Sequence, residues 1–123
     1  MKKWGTVCID FDGVIHGYSK GWSDGSIYDP PIAGVAEALQ ALLDEGYEVV
    51  IFTTRADDRM VRDVLQKGQY QEVVQYLEKY KIPYTRVHQG VGKPLCKLLI
   101  DDNALRFDGN WPKTLKDALR ILT

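Results

Sequence analysis

The chain has 123 residues, 45% of them hydrophobic, which is enough for one globular domain with a core that needs no disulfides or metal to hold it. Its 16 Lys and Arg residues are balanced by 17 Asp and Glu residues. The resulting net charge of −1 excludes a global positive field that would hold a polyanion or an anionic membrane, so any phosphate recognition must be local.

The cysteines and the apolar segments indicate the kind of compartment. Cys8 and Cys96 lie in hydrophobic stretches without metal-ligand spacing, so we expect buried free thiols. No segment approaches the roughly 20 apolar residues that span a bilayer, and no signal-peptide pattern precedes the first strand. We therefore expect a cytoplasmic protein without a membrane partner.

The first half of the chain predicts a strand, a long loop, a helix and a second strand. Residues 6–11 are a short apolar run rich in β-forming residues, and Asp12-Gly13 after them is a turn signal. Residues 14–31 lose periodicity and fill with Gly, Ser and Pro, which predicts a loop whose aromatic residues pack. The apolar residues of 35–43 recur at helical spacing, and 48–53 are a continuous apolar strand typical of a parallel sheet covered on both faces.

The second half predicts further helices and strands. Helical spacing returns over residues 57–80, as two helices or one kinked helix. Residues 84–87 are a weak third strand, 97–101 a strong fourth, and 104–107 a short fifth. Helical spacing after Pro112 predicts a last helix, which we expect to cover the sheet.

Alternating strands and helices predict a three-layer α/β fold with a doubly wound parallel sheet, built as a single domain over residues 1–123. Ligands of such folds bind outside the carboxyl ends of the strands. The polar residues predicted at those ends, or shortly before a strand, are Asp10, Asp12, Thr53, Thr54, Lys93, Asp101 and Asp102. Four carboxylates, two hydroxyls and one ammonium group are thus expected to converge on one edge of the sheet.

Clustered carboxylates beside a single lysine need a compensating charge. Two unit charges about 4 Å apart repel by roughly 4 kcal/mol at an effective dielectric constant near 20, so protons or a divalent cation must be supplied. An all-oxygen site with few ligands suits Mg²⁺, which keeps several waters and bridges to a substrate phosphate. The sequence therefore predicts a magnesium site.

The reaction predicted from these residues is phosphoryl transfer. Asp10 would be the nucleophile that forms an acyl phosphate, and Asp12 would protonate the leaving alcohol and then activate water. Lys93 and the Thr53 hydroxyl would hold the phosphoryl oxygens as charge spreads over them. Candidates for further substrate contacts are Thr54, Arg55 and His16, although a lone loop histidine is more often simply exposed.

Four segments, in order, resemble the motifs of the haloacid dehalogenase (HAD) superfamily. Residues 7–14 are similar to the first motif, an apolar strand followed by Asp, any residue, Asp, Gly and then Thr or Val. Residues 50–53 resemble the second, an apolar strand ending in Thr or Ser. Residues 92–94 (Gly-Lys-Pro) are similar to the third, and 98–102 to the fourth in its double-aspartate form. Each motif alone is weak, but the set in this order is specific.

The resemblance implies a Rossmann-like core, Mg²⁺ and an aspartyl-phosphate intermediate. It also implies that Asp10, the backbone carbonyl of Asp12 and Asp101 hold the metal, with Asp102 binding directly or through water. In this superfamily the second aspartate of the first motif separates phosphatases from dehalogenases, so Asp12 favours a phosphatase. Asn103 follows the double aspartate where Arg is frequent, which puts one structural or phosphate contact in question.

HAD proteins usually carry a cap domain inserted after the first or the second motif. Neither interval has room here, because residues 14–31 have about the length of a flap and residues 55–92 are taken up by helices and a strand. We therefore expect a capless, open site with residues 14–31, hereafter the flap, beside it. Nucleic-acid ends, sugar phosphates and phosphoproteins are all open as substrates, and a second copy of the chain could close the site. The net charge does not itself indicate nucleic acid.

Two non-enzymatic functions compete with this hypothesis. Receiver domains of response regulators have this length and layout, with Asp, Thr and Lys at the strand ends. Their acidic pair, phosphorylated Asp, Thr and Lys follow in a different order from the Asp, Thr, Lys, Asp-Asp of this chain. A degenerate HAD domain that binds a partner without turnover is disfavoured because every catalytic position is filled.

Overall fold

The computed structural model describes residues 5–56, 69–89 and 92–123, which form an α/β fold around a four-stranded parallel sheet. The strands are β1 (Thr6–Asp10), β2 (Glu48–Phe52), β3 (Arg86–Val87) and β4 (Leu98–Ile100). Their spatial order is β3-β2-β1-β4, and every pairing is parallel. The direction in which strands are added reverses at β1, since β2 lies on one side of it and β4 on the other. Such a switch point opens a crevice at the carboxyl ends of the two strands that meet there.

The described part of the chain contains helices α1 (Val35–Asp44), α2 (Tyr70–Lys79) and α3 (Trp111–Leu122), and a single 3₁₀ turn, Thr54–Ala56, follows β2. These elements confirm the helices predicted after the flap, before β3 and at the end of the sequence. The remainder of the predicted 57–80 helical region, residues 57–68, lies outside the described residues. None of the described helices combines the length and the apolar character needed to cross a membrane.

The centre of the sheet is buried, as its continuous apolar runs predict. The middle residues of β1 and β2 are at most 4% exposed: Val7, Cys8, Ile9, Val49, Val50 and Ile51. Both cysteines are free, but only Cys8 is fully buried and Cys96 is partly exposed. Burial, reinforced by the neighbouring Cys96, raises the pKa of the Cys8 thiol to about 12. The expectation of free thiols is confirmed, and that of burial holds for Cys8.

The flap packs onto the body of the protein. Ile15 and His16 have no exposed surface, and the backbone N–H of Ile32 donates to the carbonyl of Ile15 at 2.8 Å. From α2, the Tyr76 hydroxyl donates to the backbone carbonyl of Asp29 at 2.8 Å. The flap is therefore held by a buried anchor near its start and by a contact to α2 near its end.

Two predictions for the last third of the chain are wrong. Residues 104–107 form no strand. Helix α3 forms where predicted, but it does not cover the sheet, because none of its residues is buried. Leu98 and Ile100 of β4 accordingly stay 49% and 39% exposed. A periodic apolar stripe specifies a helix and its apolar face, but the surface on which that face lies depends on the path of the preceding loop.

Candidate active site

Three carboxylates converge where β1 and β4 end. Asp10 is the last residue of β1, while Asp101 and Asp102 follow directly after β4. One carboxylate oxygen of each lies within 4.8 Å of the others. We call these three residues the acidic cluster. They come together because β1 and β4 pair in parallel, which brings their carboxyl ends to the same edge of the sheet.

Asp10 and Asp101 are partly buried, whereas Asp102, the third member of the acidic cluster, is exposed. Oδ1 of Asp10 accepts the backbone N–H of Phe11 at 2.8 Å. Burial, followed by the negative charges of Asp101 and Asp102, raises the pKa of Asp10 to about 7, although the Phe11 hydrogen bond opposes this rise. Positive charge at this edge would favour the ionised form of Asp10, which is the role that a divalent cation would have.

Gly13 permits the close approach of Asp102 to the end of β1. Its φ of +82° is in the left-handed region, and a methyl group here would collide with the Asp102 carboxylate. The Gly13 N–H donates to the carbonyl of His16 at 2.9 Å. Glycine thus lets the chain turn sharply out of β1 while leaving room for the acidic cluster.

Asp12 has different partners from Asp10. Its Oδ2 accepts a hydrogen bond from Nε of Arg55 at 2.9 Å, and its Oδ1 lies 2.9 Å from Nδ1 of His16. The Asp12 side chain is 17% exposed, whereas both partners are completely buried. Two carboxylates in such different environments can take different roles in acid–base chemistry.

The hydrogen bonds of His16 determine which of its ring nitrogens carries the proton. Nε2 accepts the backbone N–H of Asp29 at 3.1 Å, so it has no proton of its own. The ring is therefore neutral, and Nδ1–H donates to Asp12. With no exposed surface and both nitrogens engaged, His16 is placed against Asp12 rather than toward solvent, in contrast to the exposed position more usual for a loop histidine.

Arg55 is the largest completely buried side chain among the described residues. Besides Asp12, its Nη1 donates to the carbonyl of Gly25 and to Oε1 of Gln69, both at 2.6 Å. Its guanidinium carbon lies 4.6 Å from the centre of the Trp22 ring, a cation–π contact. Arg55 thus connects the end of β1, the flap and the start of α2.

Of the remaining predicted residues, Thr53 and Thr54 follow β2 at the same edge of the sheet, whereas the structure does not bring Lys93 into contact with the acidic cluster. Thr53 is buried directly after β2, and its Oγ1 accepts the backbone N–H of Arg55 at 3.2 Å. Thr54 is exposed at the start of the 3₁₀ turn. Lys93 is exposed in the segment between β3 and β4, and no hydrogen bond or ion pair among the described residues links it to the acidic cluster.

Two polar contacts around Asp12 have no sequence signal that reveals them. Gln69 immediately precedes α2, and its amide contacts both Arg55 and the carbonyl of Gly25. The His16 tautomer is fixed by the backbone N–H of Asp29, a group that every residue except proline has, so the residue type does not reveal the contact. Such partners are visible only once the chain is folded, because they lie far apart in sequence.

The acidic cluster predicts an unusual dependence of stability on pH. In the absence of divalent cations, the free energy of unfolding should fall as pH rises from about 4 to about 7. The folded-state pKa of Asp10 is raised, so the folded protein retains a proton that the unfolded chain releases in this window. Solvent screening of the half-buried group limits the fall to about 2 kcal/mol. Urea unfolding in EDTA across this range measures it.

Asp10→Asn is the control for this effect, because it keeps the acceptor for Phe11 and cannot ionise. The free energy of unfolding of the wild type minus that of the variant, at each pH, isolates the contribution of Asp10 from those of the other titrating groups. A difference that does not change with pH in EDTA would contradict the predicted titration. Excess Mg²⁺ should abolish the fall in the wild type, since a bound cation favours the ionised carboxylate.

Neither a protein-family model nor a curated protein matches this sequence. Among solved structures, the chain is similar to the crystal structure of a target protein from Vibrio cholerae, with a TM-score of 0.53 and 22% identity over 98% of this chain and 99% of that one. It also matches a chain in the structure of a Pnkp1/Rnl/Hen1 complex, with a TM-score of 0.49 and 20% identity. That match covers 98% of this chain and 34% of the other. The first similarity supports the α/β fold over nearly the whole chain.

Proposed function

We propose that the protein is a Mg²⁺-dependent phosphomonoesterase of the HAD type, acting through an aspartyl phosphate. The observation that carries the proposal is the placement of the acidic cluster at the carboxyl ends of β1 and β4, with Asp12 two residues beyond Asp10 and held by different partners. The finer architecture proposed with it is the three-layer, doubly wound Rossmann-like core of that superfamily.

The donor set fits a magnesium ion. Asp10, Asp101 and Asp102 offer only carboxylate oxygens, close enough together to share one ion, and burial together with the neighbouring negative charges raises the pKa of Asp10. The backbone carbonyl of Asp12 would complete the protein's share of the ligands. When bound, Mg²⁺ would offset the negative charge of the carboxylates and of the substrate phosphate.

In the first step Asp10 would attack the phosphorus of a phosphate monoester. A bond forms between its carboxylate oxygen and phosphorus, and the ester P–O bond breaks with its electron pair going to the leaving oxygen. Asp12 would give that oxygen a proton, so that the product leaves as an alcohol. Each Asp12 oxygen has a lone pair beyond the one that accepts from Arg55 or His16, so the carboxyl can carry this proton without losing either contact.

In the second step Asp12, now ionised, would take a proton from a water molecule. The water oxygen bonds to phosphorus, the bond from phosphorus to Asp10 breaks, and inorganic phosphate is released with both aspartates restored. The Thr53 hydroxyl, buried directly after β2, would hold a phosphoryl oxygen. Lys93 would neutralise the phosphate.

An open site is compatible with several classes of substrate. The flap, with its anchor at His16 and its contact to α2, borders Asp12. Without a cap domain the site would admit bulky phosphate esters, and nucleic-acid ends, sugar phosphates and phosphoproteins are the classes to compare.

The deciding experiment is hydrolysis of 4-nitrophenyl phosphate by the purified protein. We expect turnover with millimolar Mg²⁺ and at least a tenfold loss after treatment with EDTA, restored by Mg²⁺, because the metal offsets charge in the transition state. Ca²⁺ is the matched control, since it prefers more oxygen ligands at longer distances and should restore less activity. Equal rates with and without EDTA, or no turnover of any phosphate ester tried, would refute the proposal.

A further inference from the structure

We propose that His16 is a positioning residue which ties the orientation of Asp12 to the seating of the flap. This inference rests on the proposed function, because the orientation of Asp12 matters for catalysis only if Asp12 is the general acid and base. It starts from the ring of His16, which donates to Asp12 through Nδ1 and accepts the Asp29 N–H through Nε2. One neutral imidazole therefore bridges the acid–base carboxylate and the far end of the flap.

The bridge is rigid because the ring is enclosed. Aromatic rings surround His16 with centroid distances of 5.0 to 5.8 Å: Phe11, Tyr18, Tyr28 and Tyr76. Asp29 is also held from its other side, because its carbonyl accepts a hydrogen bond from the Tyr76 hydroxyl at 2.8 Å. Rotation of the imidazole would break both of its hydrogen bonds, and burial leaves no water to replace them.

The second carboxylate oxygen of Asp12 is also connected to the flap. Oδ2 accepts from Arg55, and the Arg55 guanidinium donates in turn to the carbonyl of Gly25 in the middle of the flap. Both carboxylate oxygens of Asp12 are therefore connected to flap backbone through one intervening side chain. A displaced flap would release both connections, so correct orientation of the acid would require a seated flap.

Two near-isosteric variants separate the two hydrogen bonds of His16. The amide nitrogen of asparagine lies where Nδ1 lies, so His16→Asn keeps the donor to Asp12 and loses the acceptor for Asp29. The amide of glutamine reaches the position of Nε2, so His16→Gln keeps an acceptor for Asp29 and loses the donor to Asp12. Both are uncharged polar residues of similar size, so each is the control for the other.

The readout is the dependence on the leaving group. An alkyl phosphate needs a proton on its leaving oxygen, whereas 4-nitrophenolate leaves with little help from an acid. For His16→Gln we expect kcat on phenethyl phosphate to fall at least ~30-fold, and kcat on 4-nitrophenyl phosphate to fall less. For His16→Asn we expect a loss below about fivefold on both substrates and about tenfold faster hydrogen exchange at the Asp29 amide. Equal losses for the two variants on both substrates would overturn the positioning role.

A measurement without turnover keeps this inference separate from the proposed function. The chain has two histidines, so ¹⁵N spectra of the wild type and His16→Asn assign the imidazole of His16 by difference. A neutral Nδ1–H tautomer with a protected Asp29 amide supports the bridge even if no phosphate ester is hydrolysed. A neutral Nε2–H tautomer, or a freely exchanging Asp29 amide, would overturn the bridge even in an active phosphatase.

Discussion

Replacing Asp10 by asparagine is expected to lower kcat by at least about three orders of magnitude. The amide has no nucleophilic carboxylate oxygen, so no aspartyl phosphate forms, and the acidic cluster loses one of its three anionic ligands. Phosphatase assays with saturating Mg²⁺ measure the loss. Denaturing gels run after brief exposure to a ³²P-labelled phosphate ester should show labelled wild type and unlabelled variant.

The variant should lose activity without losing its fold. The asparagine Oδ1 can still accept the Phe11 N–H. Above pH 7 the wild type carries a carboxylate whose ionisation the folded state disfavours, so its replacement by a neutral amide should raise the stability of the metal-free protein. Asp44→Asn, at the exposed end of α1 where Asp44 accepts a hydrogen bond from Gln40 of the same helix, is the matched control and should keep wild-type kinetics. A variant at Asp10 that retains a tenth or more of the wild-type rate would rule out its role as nucleophile.

Replacing Arg55 by methionine is expected to have the largest effect on stability, a loss of about 3 to 5 kcal/mol in the free energy of unfolding. Methionine fills part of the volume but cannot donate to Asp12, Gly25 or Gln69. The Asp12 carboxylate would lose its charged partner, and the flap would lose its contact to the end of β2. Urea unfolding followed by tryptophan fluorescence measures the change, and Trp22 reports on it directly because its ring lies against the guanidinium.

Arg86→Met provides the control for this prediction. Arg86 forms an ion pair with Glu48 at 3.1 Å, but it is 49% exposed, so we expect a loss of no more than about 1 kcal/mol. Combining Arg55→Met with Asp12→Ala should cost clearly less than the sum of the two single losses, since the second change removes the unpaired charge left by the first. An Arg55 variant as stable as the Arg86 variant would contradict the central role of this network.

The strand ends were predictable because local patterns define them. The apolar runs that become β1, β2 and β4 end at Asp10, at Thr53 and at Asp101, and parallel pairing brings such ends to one edge. Composition and spacing were therefore enough to predict the α/β class and the position of the acidic cluster. They were not enough to predict the exposed face of α3, because periodicity describes a helix and not its partner.

The surroundings of Asp12 required the tertiary structure. Arg55 is separated from Asp12 by 43 residues, and its further partners Gly25 and Gln69 lie in two other segments, so no local pattern connects them. Burial then determines their effect, since a charged or polar group excluded from water must find partners inside the protein. The sequence by itself determined, through strand periodicity and order, that Asp10, Asp101 and Asp102 meet at the sheet edge, but the Asp12 carboxylate, which was predicted to join them, pairs with His16 and Arg55 instead. Only the fold decided that His16 and Arg55 face Asp12, because long-range packing selects the partners of a buried group.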